Sequence, residues 1–320
     1  MSAIIAAAVI ACGTPPSPRV GEPAPAASLA ATPIGRLIDV GTKPEGIAVD
    51  SARGLVAVAV RAPAAIAILD RQGNLIRRIP LTAAARHLRF DANSGLVLVP
   101  AEQAQQLIKV DPQAGTIVST TMVGRQPHDA VAVGDRVFVT NEFSDTVSVI
   151  ESARVVATIA APRQPGGIAE SDGLVAVVGV RSHSLAVIDS KSWNTIATVS
   201  AGDGPTHVVG GAGGQFFVTD TVGNALLVFA ATPALQIRTR VSLAGTPYGL
   251  ALDEVHHRLF VSLTAKNQVV EFDVAGKSPV EVRRLPTPRE PNSVAVDPAS
   301  GAIVVTGAAD GVVQIVSSFS

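Results

Sequence analysis

Cysteine is almost absent from this 320-residue sequence, which contains a single one, Cys12. One cysteine cannot form an intramolecular disulfide, a cysteine-based metal cluster or a CxxCH haem attachment, so haem c is excluded as a cofactor. A strong charge of either sign is lacking too, because 25 Lys and Arg oppose 26 Asp and Glu for a formal net charge of -1. We therefore expect no nucleic-acid partner.

Aromatic residues are also scarce, at 3% of a chain that is 47% apolar. The core must then consist of Val, Ile, Leu and Ala, the residues that suit tightly stacked sheets. Helix signals are nearly missing, and apolar residues instead alternate with a period of two between turns rich in Gly, Asp, Asn and Pro. This pattern predicts an all-β fold.

The longest apolar run near the N-terminus, residues 3–11, is too short to cross a bilayer but fits the core of a signal peptide. It ends in Val9-Ile10-Ala11-Cys12-Gly13, which resembles the lipobox of bacterial lipoproteins. The resemblance implies a signal peptide at 1–12, lipidation of Cys12 and an extracytoplasmic location, anchored by lipid to the bacterial cell membrane. An ordinary thiol in an N-terminal leader is the alternative.

Residues 13–33 are rich in Pro, Ala and Ser and have neither a period of 2 nor one of 3.6. Such a segment cannot bury enough apolar surface to order itself. We expect it to be a disordered tether between the lipidated cysteine and a folded domain at 34–320.

That domain repeats one unit seven times. Each copy begins with an anchor, usually a proline, that precedes an alternating apolar strand, and the anchors are Pro44, Ala85, Pro127, Pro165, Pro205, Pro247 and Pro291. They are 38 to 44 residues apart, the period of a four-stranded propeller blade. The sequence therefore predicts a seven-bladed β-propeller with four-stranded antiparallel blades.

The blade order also predicts how the ring closes. The last repeat supplies strands near residues 293–296, 302–306 and 312–317 and then lacks a fourth. Residues 35–40 have the pattern to supply it, so the N-terminal strand should pair with the C-terminal blade and remove an open sheet edge.

The segment from Phe138-Val139-Thr140-Asn141 to Ile150 resembles the repeat of the YVTN-type, YncE-like seven-bladed β-propellers. The resemblance extends over the chain after about residue 34. It implies the propeller architecture and a repeat protein, which we expect to be monomeric, and it does not specify an activity.

In such a ring all anchor loops lie on one face, and the two residues after each anchor point to the mouth of the central channel. Candidate ligand-binding residues are Glu45, Arg86, His87, His128, Asp129, His207, Tyr248 and Asn292. The loops between the second and third strands add Asn141, Glu142, Asp145, Arg181, His183, Asp220, Asn224 and Lys266 to this face. His256 and His257 are expected on the opposite face.

Three of the six histidines lie at the mouth, which favours a function there, although polar residues could line it simply because it is wet. His87 and His207 are three blades apart, so we expect them to be too far apart to share a tetrahedral metal ion. A small anionic or polar ligand, bound by Arg86 and the histidines, is the easier interpretation.

The preferred hypothesis is a non-catalytic binding or scaffold module of the cell envelope that holds a protein, peptide or glycan. No GxSxG, HExxH, P-loop or reactive cysteine is present. The alternative is a metal-assisted hydrolase or lyase, because lactonases and streptogramin lyases resemble this architecture and place histidine and a divalent metal near the channel. Its candidate ligands or bases are Glu45, His87, His128, Asp129 and His207. A redox propeller with a quinone cofactor is disfavoured because Trp193 is alone.

Overall fold

Seven antiparallel sheets of four strands each form a closed ring in the computed structural model, which describes residues 20–317. This confirms the predicted seven-bladed β-propeller. The predicted signal peptide, Cys12 and the first part of the predicted tether lie outside the described residues. Within 20–317, the structure contains no helix with the length and apolar character needed to span a bilayer.

In blades one to six the four strands follow chain order from the channel outwards. Blades one to three consist of β2 Thr42–Asp50, β3 Leu55–Ala62, β4 Ala64–Leu69 and β5 Leu75–Pro80; β6 Arg89–Asp91, β7 Leu96–Ala101, β8 Gln106–Asp111 and β9 Thr116–Met122; and β10 Pro127–Val133, β11 Arg136–Asn141, β12 Thr146–Glu151 and β13 Arg154–Ala160.

Blades four to six follow the same pattern. They consist of β14 Pro165–Ser171, β15 Leu174–Gly179, β16 Ser184–Asp189 and β17 Thr195–Ser200; β18 Pro205–Gly211, β19 Gln215–Asp220, β20 Ala225–Ala230 and β21 Gln236–Ser242; and β22 Pro247–Asp253, β23 Arg258–Leu263, β24 Gln268–Asp273 and β25 Val280–Pro286. A short 3-10 helix, Ala212–Gly214, lies in blade five.

Blade seven joins the two ends of the described chain, with β26 Val294–Asp297, β27 Ala302–Gly307, β28 Val312–Val316 and, as its outer strand, β1 Arg36–Asp39. Arg36 pairs with Ile315 and Asp39 with Val312 in antiparallel register. The amide of Val40 donates to Gly311 O at 3.1 Å beyond the end of the strand. The predicted closure is therefore confirmed.

The core lies between neighbouring blades. The second and third strands of a blade are buried on both faces, as in β11, whereas the fourth alternates between exposed and half-buried residues, as in β13. Phe138 of blade three thus packs with Ile168 and Val177 of blade four in one apolar cluster. Because the blades bury small β-branched and aliphatic side chains against each other, the ring needs few aromatic residues.

Residues 20–33 contain no helix or strand, as their composition predicts, but residues 20–27 lie against the anchor-loop face instead of extending from it. Gly21 is buried against Thr206, where a Cβ would lie 2.5 Å from a side-chain carbon. The amide of Ala24 donates to Thr264 Oγ1 at 2.9 Å and that of Ala26 to Glu290 Oε1 at 3.0 Å. We call residues 20–27 the mouth strap. The disordered-tether description does not apply to this part of 13–33.

The strap is ordered without a hydrophobic core of its own because fixed rim acceptors satisfy its backbone amides. Pro23 and Pro25 also restrict the unfolded chain, so fixing this segment costs less conformational entropy.

Candidate functional site

In most blades the innermost strand has a bulge just after the anchor residue. In blade three, Pro127 pairs with Asn141 but Ala130 pairs with Val139, so one extra residue is inserted after the anchor. The same shift occurs in blades one, four, five and six. A bulge disrupts the ladder locally and re-aims side chains. Here it turns the residues after the anchor towards the channel mouth.

Hydroxyl groups of the second strands hold these bulges in place. Thr140 Oγ1 accepts from the amide of Asp129 at 3.1 Å, and Ser262 Oγ accepts from the amide of Gly249 at 2.9 Å. In blade seven, Thr306 Oγ1 accepts from the amide of Ser293 at 3.0 Å. These amides have lost their strand partner, so the hydroxyls remove the cost of burying them unpaired.

Three of the predicted site residues, His87, His128 and His207, converge at the centre of the mouth. The Nε2 atoms of His87 and His207 are 3.0 Å apart, and one ligand atom from each histidine lies within 4.8 Å of the others. The expectation that His87 and His207 are too far apart to share a metal is therefore wrong. Zinc bonds of about 2.0–2.1 Å place tetrahedral ligand nitrogens about 3.3 Å apart. The 3.0 Å between His87 and His207 is near this spacing, and the other separations in the cluster lie within 4.8 Å.

Glycines at the second position after the anchor explain why opposite blades meet. A Cβ on Gly46 would lie 2.8 Å from Arg86 O, and one on Gly167 would lie 2.9 Å from His207 Cα. Real Cβ atoms do not approach so closely, so these glycines let neighbouring strands crowd together at the mouth. The channel is thereby narrow enough for histidines from blades two, three and five to touch.

A carboxylate orients one member of the cluster. His128 Nδ1 lies 3.3 Å from Glu142 Oε2, and both side chains are buried. Gln164 Nε2 donates to the other oxygen, Glu142 Oε1, at 2.6 Å. Glu142 thus favours the tautomer with a proton on Nδ1, which leaves His128 Nε2 free to bind a metal, as in carboxylate–histidine–metal pairs.

Burial governs the protonation of the other two histidines. It lowers the pKa of His87 and His207 well below the ordinary value, and the nearby histidines and Arg89 add to this effect. The two rings are therefore neutral at pH 7, which is the form that binds metals. Burial would raise the pKa of Glu142, but the hydrogen bonds from His128 and Gln164 outweigh it and lower that pKa.

A chain of ion pairs surrounds the histidines on the strap side. Arg61 lies 2.8 Å from both Glu45 Oε2 and Glu102 Oε2, and Arg86 Nε lies 3.0 Å from Glu102 Oε1. Glu22 of the strap reaches Arg86 Nη1 at 3.8 Å. Burial raises the pKa of Glu45, although Arg61 opposes the shift. Arg86 is therefore paired with carboxylates, which weakens the expectation that it binds an anion.

The remaining predicted residues have distinct places. Tyr248 packs edge-on against His207 with ring centroids 4.3 Å apart, and burial raises its pKa above the ordinary value. Asn292 lines a small cavity beside Arg86, and its buried Oδ1 has no hydrogen-bond partner within the described residues. Asp129 accepts from the amides of Ala130 and Ile168 and is a structural carboxylate.

Arg61, Glu102, Glu22, Gln164 and Arg89 were not among the sequence candidates. Glu102 follows the second strand of blade two by one residue, as Glu142 does in blade three. Arg61, near the end of β3, is the equivalent residue of blade one, because it also comes directly after the residue that pairs with the anchor. The repeat alignment could have identified this position. Glu22 gave no signal because it lies outside the repeats.

The side chains at the mouth carry an excess of negative charge. Five carboxylates, on Glu22, Glu45, Glu102, Glu142 and Asp129, face three guanidinium groups, on Arg61, Arg86 and Arg89. Among these paired carboxylates and guanidinium groups the excess is two negative charges. This balance favours a cation over an anion beside the histidines.

The cavities on the two sides of the histidines differ in size. On the strap side, spaces of about 60 and 10 Å³ lie between the strap, Arg86 and Tyr248. On the other side a cavity of about 340 Å³ occupies the channel and is lined by His87, His207 and the innermost strands of all seven blades. We call this space the channel cavity.

Loops between the second and third strands contact the anchor loops as expected for one shared face. Asp145 Oδ1 accepts from the amide of Gln164 at 2.7 Å, and Asn224 Oδ1 accepts from the amide of Gly245 at 3.0 Å. His256 lies in the turn after an innermost strand, at the other end of its blade, where its Nδ1 is 2.8 Å from Asp253 Oδ2.

No protein-family model and no curated protein matches this chain. Solved structures share its fold at low identity. A chain of the mitotic checkpoint complex is 11% identical with a TM-score of 0.80, covering 99% of both chains. Virginiamycin B lyase from Staphylococcus aureus is 14% identical with a TM-score of 0.73, covering 88% of this chain and 98% of that one.

The β-propeller domain of Cps50 (Swd1) from Myceliophteria thermophila is also 14% identical, with a TM-score of 0.74, covering 89% of this chain and 100% of that one. Similarity at these identities establishes the propeller fold, and the activity has to be inferred from the site residues.

Proposed function

We propose that this protein is a lipid-anchored binding module of the bacterial cell envelope that holds a divalent transition-metal ion at the channel mouth. One observation carries the proposal: His87, His128 and His207 present three ligand atoms within 4.8 Å of one another. Imidazole suits zinc, copper and nickel among the divalent metals. The negative excess at the mouth supports a cation, and Glu142 supplies the second-sphere partner that metal-bound histidines usually have.

Anchoring and partner binding complete the proposal. The lipobox-like sequence around Cys12 supports an extracytoplasmic, membrane-attached protein. The YVTN-type repeat, whose Thr140 holds a bulge at the mouth, supports membership of the YncE-like propellers. The anchor-loop face would hold a protein, peptide or glycan beside the metal, and a propeller-fold chain in the mitotic checkpoint complex is consistent with a role in assembly.

Metal loading of the full chain tests the metal site. We expect one zinc ion per chain by mass spectrometric metal analysis, and none in the His87→Ala/His207→Ala double variant. His256→Ala/His257→Ala is the matched control, because it removes two histidines at the other end of a blade and should leave loading unchanged. Equal loading of all three proteins would refute the site. Loss of palmitate labelling in Cys12→Ala would test the anchor separately.

A second candidate is a metal-assisted hydrolase or lyase. Three histidine ligands would leave one tetrahedral position of a bound zinc ion for water, the arrangement of catalytic zinc sites. The channel cavity reaches two of the three histidines and provides room for a substrate. Turnover of lactones or cyclic esters by the zinc-loaded wild type, absent in the double histidine variant, would favour this candidate. Metal binding without any turnover would favour the binding module.

A further inference from the structure

The two sides of the histidine cluster offer different access to a bound metal. On the strap side, Gly21, Glu22 and Pro23 lie over the cluster, and the remaining spaces of about 60 and 10 Å³ have room for a few waters at most. The channel cavity is several times larger, at about 340 Å³. A ligand of several non-hydrogen atoms can therefore reach the metal only from the channel.

The channel cavity opens away from the strap. Its residues near the histidines, such as Ala48 and Val208, are buried. At the far ends of the innermost strands, Phe90, Glu170 and Leu252 are half-buried and line the same cavity. Exposure thus increases towards the face opposite the anchor loops, where a ligand would enter.

Among residues 20–317, one Arg or Lys side chain lines this cavity. Arg89, the first residue of β6, follows His87 by two residues, and both line the channel cavity. Its Nη2 lies 3.4 Å from Asp129 Oδ2 and donates to Ile168 O at 3.2 Å. A guanidinium has five N–H donors, and these two contacts use only one of its terminal nitrogens.

The other walls of the channel cavity are mostly apolar side chains and backbone, with two carboxylates: Asp129, which pairs with Arg89, and Glu170 near the far end. Glu170 Oε1 already accepts from the amide of Gly173 at 2.7 Å. A bound metal ion and Arg89 would therefore be the two cationic groups that face this space. Carboxylates bind guanidinium groups well and also ligate divalent metals.

We infer that the channel cavity is a binding site for a small dicarboxylate, which enters from the face opposite the anchor loops. One carboxylate would ligate the metal at the position left open by the three histidines, and the other would pair with Arg89. This inference rests on the proposed metal site and adds the class of the ligand and its route. The cavity of about 340 Å³ has room for a dicarboxylate as small as malonate or succinate.

Titration of the cobalt-loaded full chain with malonate tests the inference, because cobalt reports ligand exchange in its visible spectrum. We expect malonate to bind wild type at least tenfold more tightly than Arg89→Gln, with Arg89→Lys in between. Azide, which needs only the metal, is expected to bind all three proteins alike. Asp129 keeps two amide donors in these variants, so the fold should persist, and thermal unfolding would verify it.

Two further variants test the route by which malonate enters the channel cavity. Leu252→Trp fills the far end of the channel cavity and is expected to slow malonate binding, whereas a chain that begins at residue 33 lacks the strap and is expected to bind at the wild-type rate. Equal malonate affinity in Arg89→Gln and wild type, with cobalt bound to both, would overturn the dicarboxylate site alone. Absence of cobalt from the wild type would contradict the proposed metal site and the inference with it.

Discussion

Replacing Glu142 with Gln is expected to weaken metal binding roughly 10- to 100-fold, which is about 1.4–2.7 kcal/mol. Gln164 Nε2 donates to Glu142 Oε1 at 2.6 Å, so the amide oxygen of the substituted side chain would take this place. Its NH₂ group would then face His128 Nδ1, which is 3.3 Å from the present Oε2. A donor at that place favours the tautomer protonated on Nε2, the wrong one for ligating a metal.

The assay is a competition titration of zinc between the protein and a chromophoric chelator at pH 7.5. Glu151→Gln is the matched control, because Glu151 is an exposed carboxylate in the same blade, 3.8 Å from Arg136, and should leave zinc affinity unchanged. Thermal unfolding of both apo variants separates folding from binding. If Glu142→Gln binds zinc as tightly as wild type and remains folded, the orienting role of Glu142 is wrong.

Three more perturbations test other parts of the structure. As the pH falls below about 6.5, His87 and His207 become protonated in the unfolded state but not in the apo native state, where their pKa values are lower. The free energy of unfolding, measured with urea, should therefore fall by up to about 1.4 kcal/mol per pH unit for each histidine. A flat profile that matches the His87→Asn/His207→Asn variant would contradict the lowered pKa values. Gly167→Ala would place a Cβ 2.9 Å from His207 Cα, so it should lower the free energy of unfolding by about 1–3 kcal/mol and weaken zinc binding. A stable variant with normal zinc affinity would rule out the close approach. A chain without residues 1–40 lacks β1 and should aggregate or melt at a lower temperature than one without residues 1–32, because the edge of β28 is then unpaired; equal melting temperatures would argue against the ring closure.

The propeller could be predicted because each repeat specifies the type, number and spacing of its strands. Alternating apolar residues and evenly spaced anchors identify short antiparallel strands, and the missing fourth strand of the last repeat indicates its replacement by β1. Strand bounds agree closely, as for Ala302–Gly307 against the expected 302–306.

The distance across the mouth could not be predicted from blade count. Three blades between His87 and His207 specify an angle around the ring, but the separation also depends on how closely the strands pack. Gly46 and Gly167 set that packing, and their meaning becomes clear only when the neighbouring backbone is seen.

The mouth strap escaped prediction for a different reason. Its sequence has no period, and its contacts come from rim residues distant in sequence, such as Thr264 and Glu290. Composition indicates whether a segment can form its own core, but it carries no information about docking on a surface that already exists.

The most direct test of the metal site is a crystal structure of the zinc-loaded protein with anomalous data at the zinc absorption edge. We predict one strong peak at the channel mouth, about 2.0–2.1 Å from one nitrogen of each of His87, His128 and His207. A folded, zinc-bearing protein with no peak there, and zinc instead at His256 or His257, would contradict it.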